Sequence, residues 1–207
     1  MNNIKEVTLK GTLQLPRIYF VDINPEMTAA WQKEFDSCDS IEIHNISFGD
    51  FMVEHPDIEG IVSPGNSYGL MTGGYDSAIS EHFGAELYSL VQEQLLNEYI
   101  GEQPVGTCMI VDIPDKGKKL LHTPSMRTPE VLIDSRIVYQ CMRSTLVVAT
   151  QNHLKDIIVP AFGGLTGGVP YSIIAKLMYM AYEDVRKRIN RFEYNTEENI
   201  FTIRLSW

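Results

Sequence analysis

Apolar and polar positions repeat with two different periods along this chain, and the points where the period changes mark its elements. Arg17–Asp22 (RIYFVD) is a short apolar run that reads as a strand. Asn24-Pro25-Glu26 then open a helix running to about Phe35, with Pro25 suited to the first turn. Ile41–Phe48 alternates as a second strand, closed by Gly49-Asp50. Gly60–Ser63 is a short buried strand that enters a glycine-rich loop, and Asp76–Tyr99 carries a helical period broken near Gly84. Gly106–Asp112 and Lys118–Thr123 read as strands joined by a turn at Pro114-Asp115-Lys116-Gly117. Ile133–Asn152 is predicted as a long helix, with Ile133, Ile137, Cys141 and Val148 on its apolar face. Asp156–Val159 is a strand and Pro160–Val169 (PAFGGLTGGV) a second glycine-rich loop. Pro170–Ile189 is a helix with a stripe of Ile174, Met178, Ala181, Val185 and Ile189. The polar stretch Arg191–Asn199 leads to a terminal strand, Ile200–Leu205.

Strands that alternate with helices of crossover length predict an α/β fold. The expected form is a three-layer α/β/α sandwich around a central mixed, largely parallel sheet. No internal repeat or low-complexity segment divides the chain, so residues 1–207 are expected to form a single domain.

Composition narrows the partners. With 44% hydrophobic residues, the chain can bury a sizeable core. Its net charge of −10 disfavours broad nucleic-acid or membrane-surface binding, which draws on basic patches. Local backbone dipoles can still hold a small anion. The three cysteines, Cys38, Cys108 and Cys141, are sparse and odd in number, which suggests free thiols in a reducing compartment. The opening residues carry no apolar signal core, and no stretch approaches the ~18 apolar residues of a membrane helix. A cytoplasmic location is expected, with a nuclear one left open.

The chemistry concentrates in Ile58–Gly84, IEGIVSPGNSYGLMTGGYDSAISEHFG. A strand, a loop holding Gly69, Gly73 and Gly74, and then a helix aim bare backbone N–H groups at whatever lies above the strand. Both glycine loops follow strands and precede helices, so both can reach one edge of the sheet, where α/β folds bind ligands. Each polar candidate also has a local explanation. Asp50 after Gly49 can cap a helical turn, and Asp76 sits where a helix begins, so capping accounts for either. Asn66 suits its Pro-Gly-Asn-Ser turn. The five histidines are dispersed without metal spacing; His122, at the end of a strand, is a candidate for general acid work. No Walker-type Gly-Lys-Ser/Thr is present, which lowers the odds of a nucleoside triphosphatase.

Four stretches, in order, resemble a macro domain, an ADP-ribose-binding module. Phe48-Gly49-Asp50-Phe51 is similar to the family's Gly-Asp-Ile-Thr element. Gly60–Ile79 is similar to its strand, Asn-Ala-Ala-Asn turn and Gly-Gly-Gly-Val-Asp-Gly-Ala-Ile loop. Leu120–Pro124 stands in the place of its Ile-Ile-His strand, and Val159–Pro170 resembles its Pro-Ala-Ile-Gly-Thr-Gly loop. The resemblance implies that Asp50 accepts the adenine amino group and that the Phe51 backbone serves the neighbouring ring nitrogen. Asn66 would contact the distal ribose, with Gly73 and Gly74 approaching that ribose and the diphosphate. Gly163, Gly164, Leu165, Thr166, Gly167 and Gly168 would cradle the diphosphate. Asp76 matches the Asp that orients water in hydrolytic members.

Departures lie at the distal end. Ser63-Pro64-Gly65 replaces Asn-Ala-Ala, Gly164 replaces a Thr, Leu165 a Gly, and Gly167 stands where an aromatic residue often packs. The Cys-and-His insertion of zinc-dependent members is lacking, so no metal and no cofactor are expected. The implied activity is hydrolysis of a substituent at the distal ribose, as an ADP-ribose-1″-phosphate phosphatase or an ADP-ribosyl hydrolase. The alternative is a non-catalytic reader or sequestering module. The implied partner is a small ADP-ribose derivative or an ADP-ribosylated protein.

Overall fold

The computed structural model describes residues 4–10, 13–114, 116–190, 193–195 and 200–206; along 4–10, 193–195 and 200–206 it describes the backbone alone. In chain order the elements are β1 (Ile4–Lys10), β2 (Arg17–Val21), α1 (Pro25–Phe35), β3 (Ile41–His44), α2 (Phe48–Glu54), β4 (Gly60–Ser63), α3 (Gly74–Phe83), α4 (Glu86–Tyr99), β5 (Met109–Ile113), β6 (Lys118–His122), α5 (Arg136–Gln151), β7 (Asp156–Val159), α6 (Tyr171–Ile189), β8 (Glu193–Asn195) and β9 (Ile200–Ser206). Six strands form the main sheet in the order β3-β2-β7-β4-β6-β5, parallel throughout except for the antiparallel β5–β6 edge. A separate antiparallel sheet pairs β1 with β9 and β9 with β8. No helix among the described residues is long and apolar enough to cross a membrane.

The main sheet is buried on both faces, as parallel strands require. Alternate residues serve opposite layers. Ile18, Phe20, Val62 and Leu121 pack against α1, α5 and α6, whereas Tyr19, Val21, Ile61 and Leu120 pack against α2, α3 and α4. The predicted three-layer sandwich is therefore the observed one.

Local signals place most boundaries. Asn24 caps α1 by accepting from the Glu26 amide, with Pro25 in the first turn. Gly84, at φ 89°, ends α3 and separates it from α4. The α6 stripe is buried at Ile174, Met178, Ala181 and Val185, and Ile189 is partly buried.

Two expectations are corrected. The strand predicted to reach Phe48 stops at His44, because Ser47 caps α2 and Asp50 completes the cap from within its first turn. Helix α5 begins at Arg136, not Ile133, since Asp134 takes the Arg136 amide at 3.0 Å and Ile133 is fully exposed. Its buried face is Val138, Cys141, Met142, Thr145, Leu146 and Ala149, with Ile137 and Val148 only partly covered. β1 lies where the sequence pattern predicts no element, and β8 falls inside the polar stretch 191–199. Asp115 of the predicted turn lies outside the described residues.

Gly60 opens β4 between two neighbouring strands. A Cβ there would lie 2.6 Å from Ile157 Cγ2 and 3.0 Å from Leu154 Cδ1. Gly60→Ala is expected to destabilise the protein by about 1–3 kcal/mol through overpacking, measurable by urea unfolding.

Candidate functional site

Loops that leave β2, β3, β4, β6 and β7 at their carboxyl ends enclose a cavity of about 470 Å³. Asp22, Ser47, Asn66, Ser125 and Ala161 mark these five contributions. β4 pairs with both β6 and β7, so its glycine loop stands beside the loop after β7. The two meet: a Cβ on Gly74 would lie 3.9 Å from Leu165 Cδ1.

Main-chain donors dominate the floor. α3 starts at Gly73 without a side-chain cap, and Gly73, Gly74 and Tyr75 all line the cavity. The amides of Gly164, Leu165, Thr166 and Gly167 donate no hydrogen bond among the described residues, and all four residues line the cavity. Such a run of amides forms an anion-binding concavity. Gly163, at φ +72°, and Gly168, at φ +65°, shape it. Gly167 has no room for a side chain, because a Cβ would lie 2.6 Å from the Gly163 carbonyl oxygen. No Lys, Arg or His side chain lines the cavity among the described residues, nor do they contain a cluster of three His, Cys, Asp or Glu placed to hold a metal ion.

Asp76 lines the cavity from the first turn of α3 and is 5% exposed. Ser63 Oγ donates to its Oδ1 at 2.8 Å. Burial pushes its pKa from the ordinary 3.8 up to about 6, and the Ser63 bond offsets part of that rise. Asn66, also buried, accepts from the Tyr68 amide through Oδ1, and its backbone bridges to Met126. Its Nδ2 donates to no described residue. Asn66, Asp76, Gly73, Gly74, Gly163, Gly164, Leu165, Thr166 and Gly167 are thus brought to one cavity.

Asp50, Phe51 and Gly168 are not on its lining. Asp50 is exposed and accepts from Ser47 Oγ at 2.6 Å, so its carboxylate serves the α2 cap. The Phe51 amide donates to Ser47 O within the helix, and its ring is buried against Tyr19, His44 and His55. Gly168 closes the second loop by donating to Leu165 O at 3.1 Å.

The cavity also carries residues that the motifs do not mark. Asp22 follows β2, and its Oδ1 accepts from the Asn24 amide at 2.8 Å. Desolvation raises its pKa, and the Asn24 bond opposes that rise. The Tyr75 hydroxyl is buried without a partner, and its pKa is raised well above 10 by desolvation and then by the Asp22 charge. Phe48 meets the Tyr75 ring edge-on at 5.3 Å, and Ile23, 74% exposed, sits at the mouth. The one sequence signal for Asp22 is its place immediately after a strand of a parallel sheet.

The chain belongs to the Macro domain family, whose profile matches residues 62–178, more than half of its length. An uncharacterized protein of Aquifex aeolicus is 30% identical over 132 residues, covering 63% of this chain and 74% of that protein. Among solved structures, the Oceanobacillus iheyensis macrodomain with MES bound superposes with a TM-score of 0.58 at 18% identity, covering 89% of this chain and 84% of that one. The same macrodomain with ADP gives 0.50 at 17% identity, with coverage of 90% and 98%. The macrodomain of Mycobacterium tuberculosis DarG gives 0.54 at 17%, with coverage of 62% and 84%. At such identities these structures speak for the fold. Asp22 and Ser47 lie outside the matched residues, whereas both glycine loops lie inside them.

A carboxyl group whose folded pKa lies above its unfolded value binds more protons folded than unfolded between the two. The contribution of Asp76 therefore favours the fold below about pH 4 and is lost as pH rises through about 6. The difference between 3.8 and about 6 corresponds to about 3 kcal/mol. Asp76→Asn is expected to gain stability over wild type as pH rises from 4 to 8, by at most about 3 kcal/mol. Urea unfolding at each pH reads the difference; a constant offset would show that Asp76 titrates normally.

Proposed function

We propose that the cavity binds ADP-ribose or one of its derivatives and that Asp76, with Asn66, hydrolyses a substituent on the distal ribose. The observation that carries this reading is the enclosure of one cavity by two runs of unpaired main-chain amides, with two desolvated carboxylates, Asp22 and Asp76, on its lining. The amides suit a diphosphate, which backbone donors and a helix N-terminus hold without basic side chains. An Oceanobacillus iheyensis macrodomain of the same fold has been solved with ADP, a diphosphate nucleotide.

Asp22 and Tyr75 suit the base end. At the 6-position of the base a carboxylate accepts from the adenine amine and cannot donate to the guanine or hypoxanthine carbonyl, so Asp22 meeting that position favours adenine. The Tyr75 ring, Phe48 and Ile23 provide apolar cover. Asp22 takes this role in place of Asp50. At the other end, Asn66 Nδ2 holds distal-ribose hydroxyls and Asp76 accepts a proton from the attacking water. Its pKa of about 6 keeps it mostly ionised near neutrality while leaving it basic enough for that transfer. Either a terminal phosphate or an ADP-ribosylated protein side chain fits as the substituent. The second reading, a reader or sequestering module without turnover, draws on the depth of Asp76 and on the Ser63 bond that occupies Oδ1.

Calorimetric titration with ADP-ribose separates the assignments. Asp22→Ala is expected to weaken binding by about 10-fold or more, the loss of a hydrogen bond to a charged group, and Asp50→Ala to leave it within about twofold. Weakening by Asp50→Ala alone would return adenine recognition to Asp50.

Turnover of ADP-ribose-1″-phosphate and of ADP-ribosylated protein tests the chemistry. Asp76→Ala is expected to lower kcat by about 10²–10⁴-fold with a much smaller change in affinity. Binding without enzyme-dependent turnover of either substrate would leave the reader.

A further inference from the structure

We propose that Ser63 is a positioning residue for Asp76: its hydroxyl proton is committed to Oδ1, which fixes the carboxyl group and leaves Oδ2, beside Gly65, as the oxygen that takes the proton from water. The inference deepens the hydrolase reading and rests on it for the reaction, while the division of labour between the two oxygens is measurable without turnover.

Ser63 is the last residue of β4. Side chains alternate along a strand, so Ser63 shares the face of Ile61, which packs in the layer of α2, α3 and α4. Asp76 reaches the same face from the first turn of α3. Ser63 is fully buried, and its one hydroxyl proton has two acceptors in reach, Asp76 Oδ1 at 2.8 Å and Met71 Sδ at 3.6 Å. A thioether is a weak acceptor, so the carboxylate holds the proton. No main-chain amide and no other side chain among the described residues donates to the Asp76 carboxyl.

Oδ2 is the open oxygen. It takes no hydrogen bond among the described residues, yet it is not one of the fully covered unpartnered atoms, which are His44 Nε2, the Tyr75 hydroxyl, His122 Nε2 and Thr150 Oγ1. Solvent in the cavity that Asp76 lines therefore reaches Oδ2. Gly65 lines the same cavity, and a Cβ on it would lie 2.8 Å from Oδ2 and 2.9 Å from His122 Nε2. Neither atom could yield cheaply, because Oδ1 is tied to Ser63 and the fully buried His122 ring has Nδ1 2.6 Å from Gln103 Oε1. Any side chain at position 65 would contest the space of Oδ2. Ser63 and Gly65 are both departures from Asn-Ala-Ala, and each acts on a different oxygen of one carboxyl group.

The Ser63 bond favours the ionised carboxyl, and burial opposes it. Charged neighbours take no part. His122 of β6 is neutral, its pKa pushed down to about 4 by burial, and Tyr75 of α3 is neutral, its pKa raised well above 10. Asp22 acts on Tyr75 and not on Asp76. Loss of the Ser63 hydroxyl therefore raises the Asp76 midpoint.

The test is carboxyl ¹³C NMR titration of Asp76 in the wild type, Ser63→Ala and Ser63→Thr, with kcat and KM followed against pH on ADP-ribose-1″-phosphate and on ADP-ribosylated protein. Ser63→Ala is expected to raise the midpoint by about one pH unit or more, the loss of a hydrogen bond to a charged group. The acid limb of kcat should move up by the same amount, with KM within about twofold. Ser63→Thr keeps the hydroxyl and should restore the wild-type midpoint. A folded Ser63→Ala with an unchanged midpoint overturns the proposal, as does a Ser63→Thr that titrates like Ser63→Ala. Lost thermal stability without a shifted midpoint marks a purely structural serine and overturns it equally. If neither substrate is turned over, the hydrolase reading falls, and the titration still decides whether Ser63 holds the carboxyl.

Discussion

The side-by-side parallel pairing of β4 with β7 is the constraint on which the site depends. Gly60 pairs with Ile157 and Ile61 with Ile158, so both chains run out of the sheet in the same direction and on adjacent tracks. The segment after each strand must turn above the same edge. Both strands lead into a glycine-rich turn and then a helix, and the resulting wall of amides is shared. β6, on the other side of β4, adds the Ser125–Met126 segment through its own parallel register. The close approach of β7 to β4 needs Gly60, and the second loop folds back on itself only because residue 167 has no side chain.

Polar groups behind the loop form a second, buried layer. Gln103 joins the carbonyl end of β6, the Thr107 turn and, through its own amide, Ser67 O of the first loop. Asp76 hangs from Ser63. These groups are held in low dielectric, where hydrogen bonds are strong and unpaired atoms are costly. The result is a carboxylate kept ionisable near neutrality by its surroundings, with no ion pair fixing its charge.

The elements were legible where chemistry is local. Proline at position 25, glycine at 84 and the apolar stripe of α6 each dictate structure within a few residues. So too was the first glycine loop, because Gly73 and Gly74 announce a turn ahead of a helical period. Asp22 was not, since nothing in Val-Asp-Ile-Asn distinguishes a cavity-lining residue from a strand end. Only the placement of β2 against β7 carries Asp22 over to the second loop. Asp50 shows the reverse. Ser47-Phe48-Gly49-Asp50 holds a capping spacing that competes with the family resemblance, and in the fold the cap takes the side chain. Tyr75 depends on burial and on a missing partner, which no spacing along one chain can reveal.

Asn24 has a role larger than its place at the head of α1. Its Oδ1 caps that helix while its Nδ2 donates to the Tyr171 hydroxyl at the start of α6, 2.9 Å away. One amide side chain thus couples the turn carrying Asp22 to the helix beyond the second glycine loop. A molecule long enough to touch both would meet walls whose spacing is already set. Less of its association energy would go into aligning them, and a fragment filling one half would leave the far wall standing in register for the other.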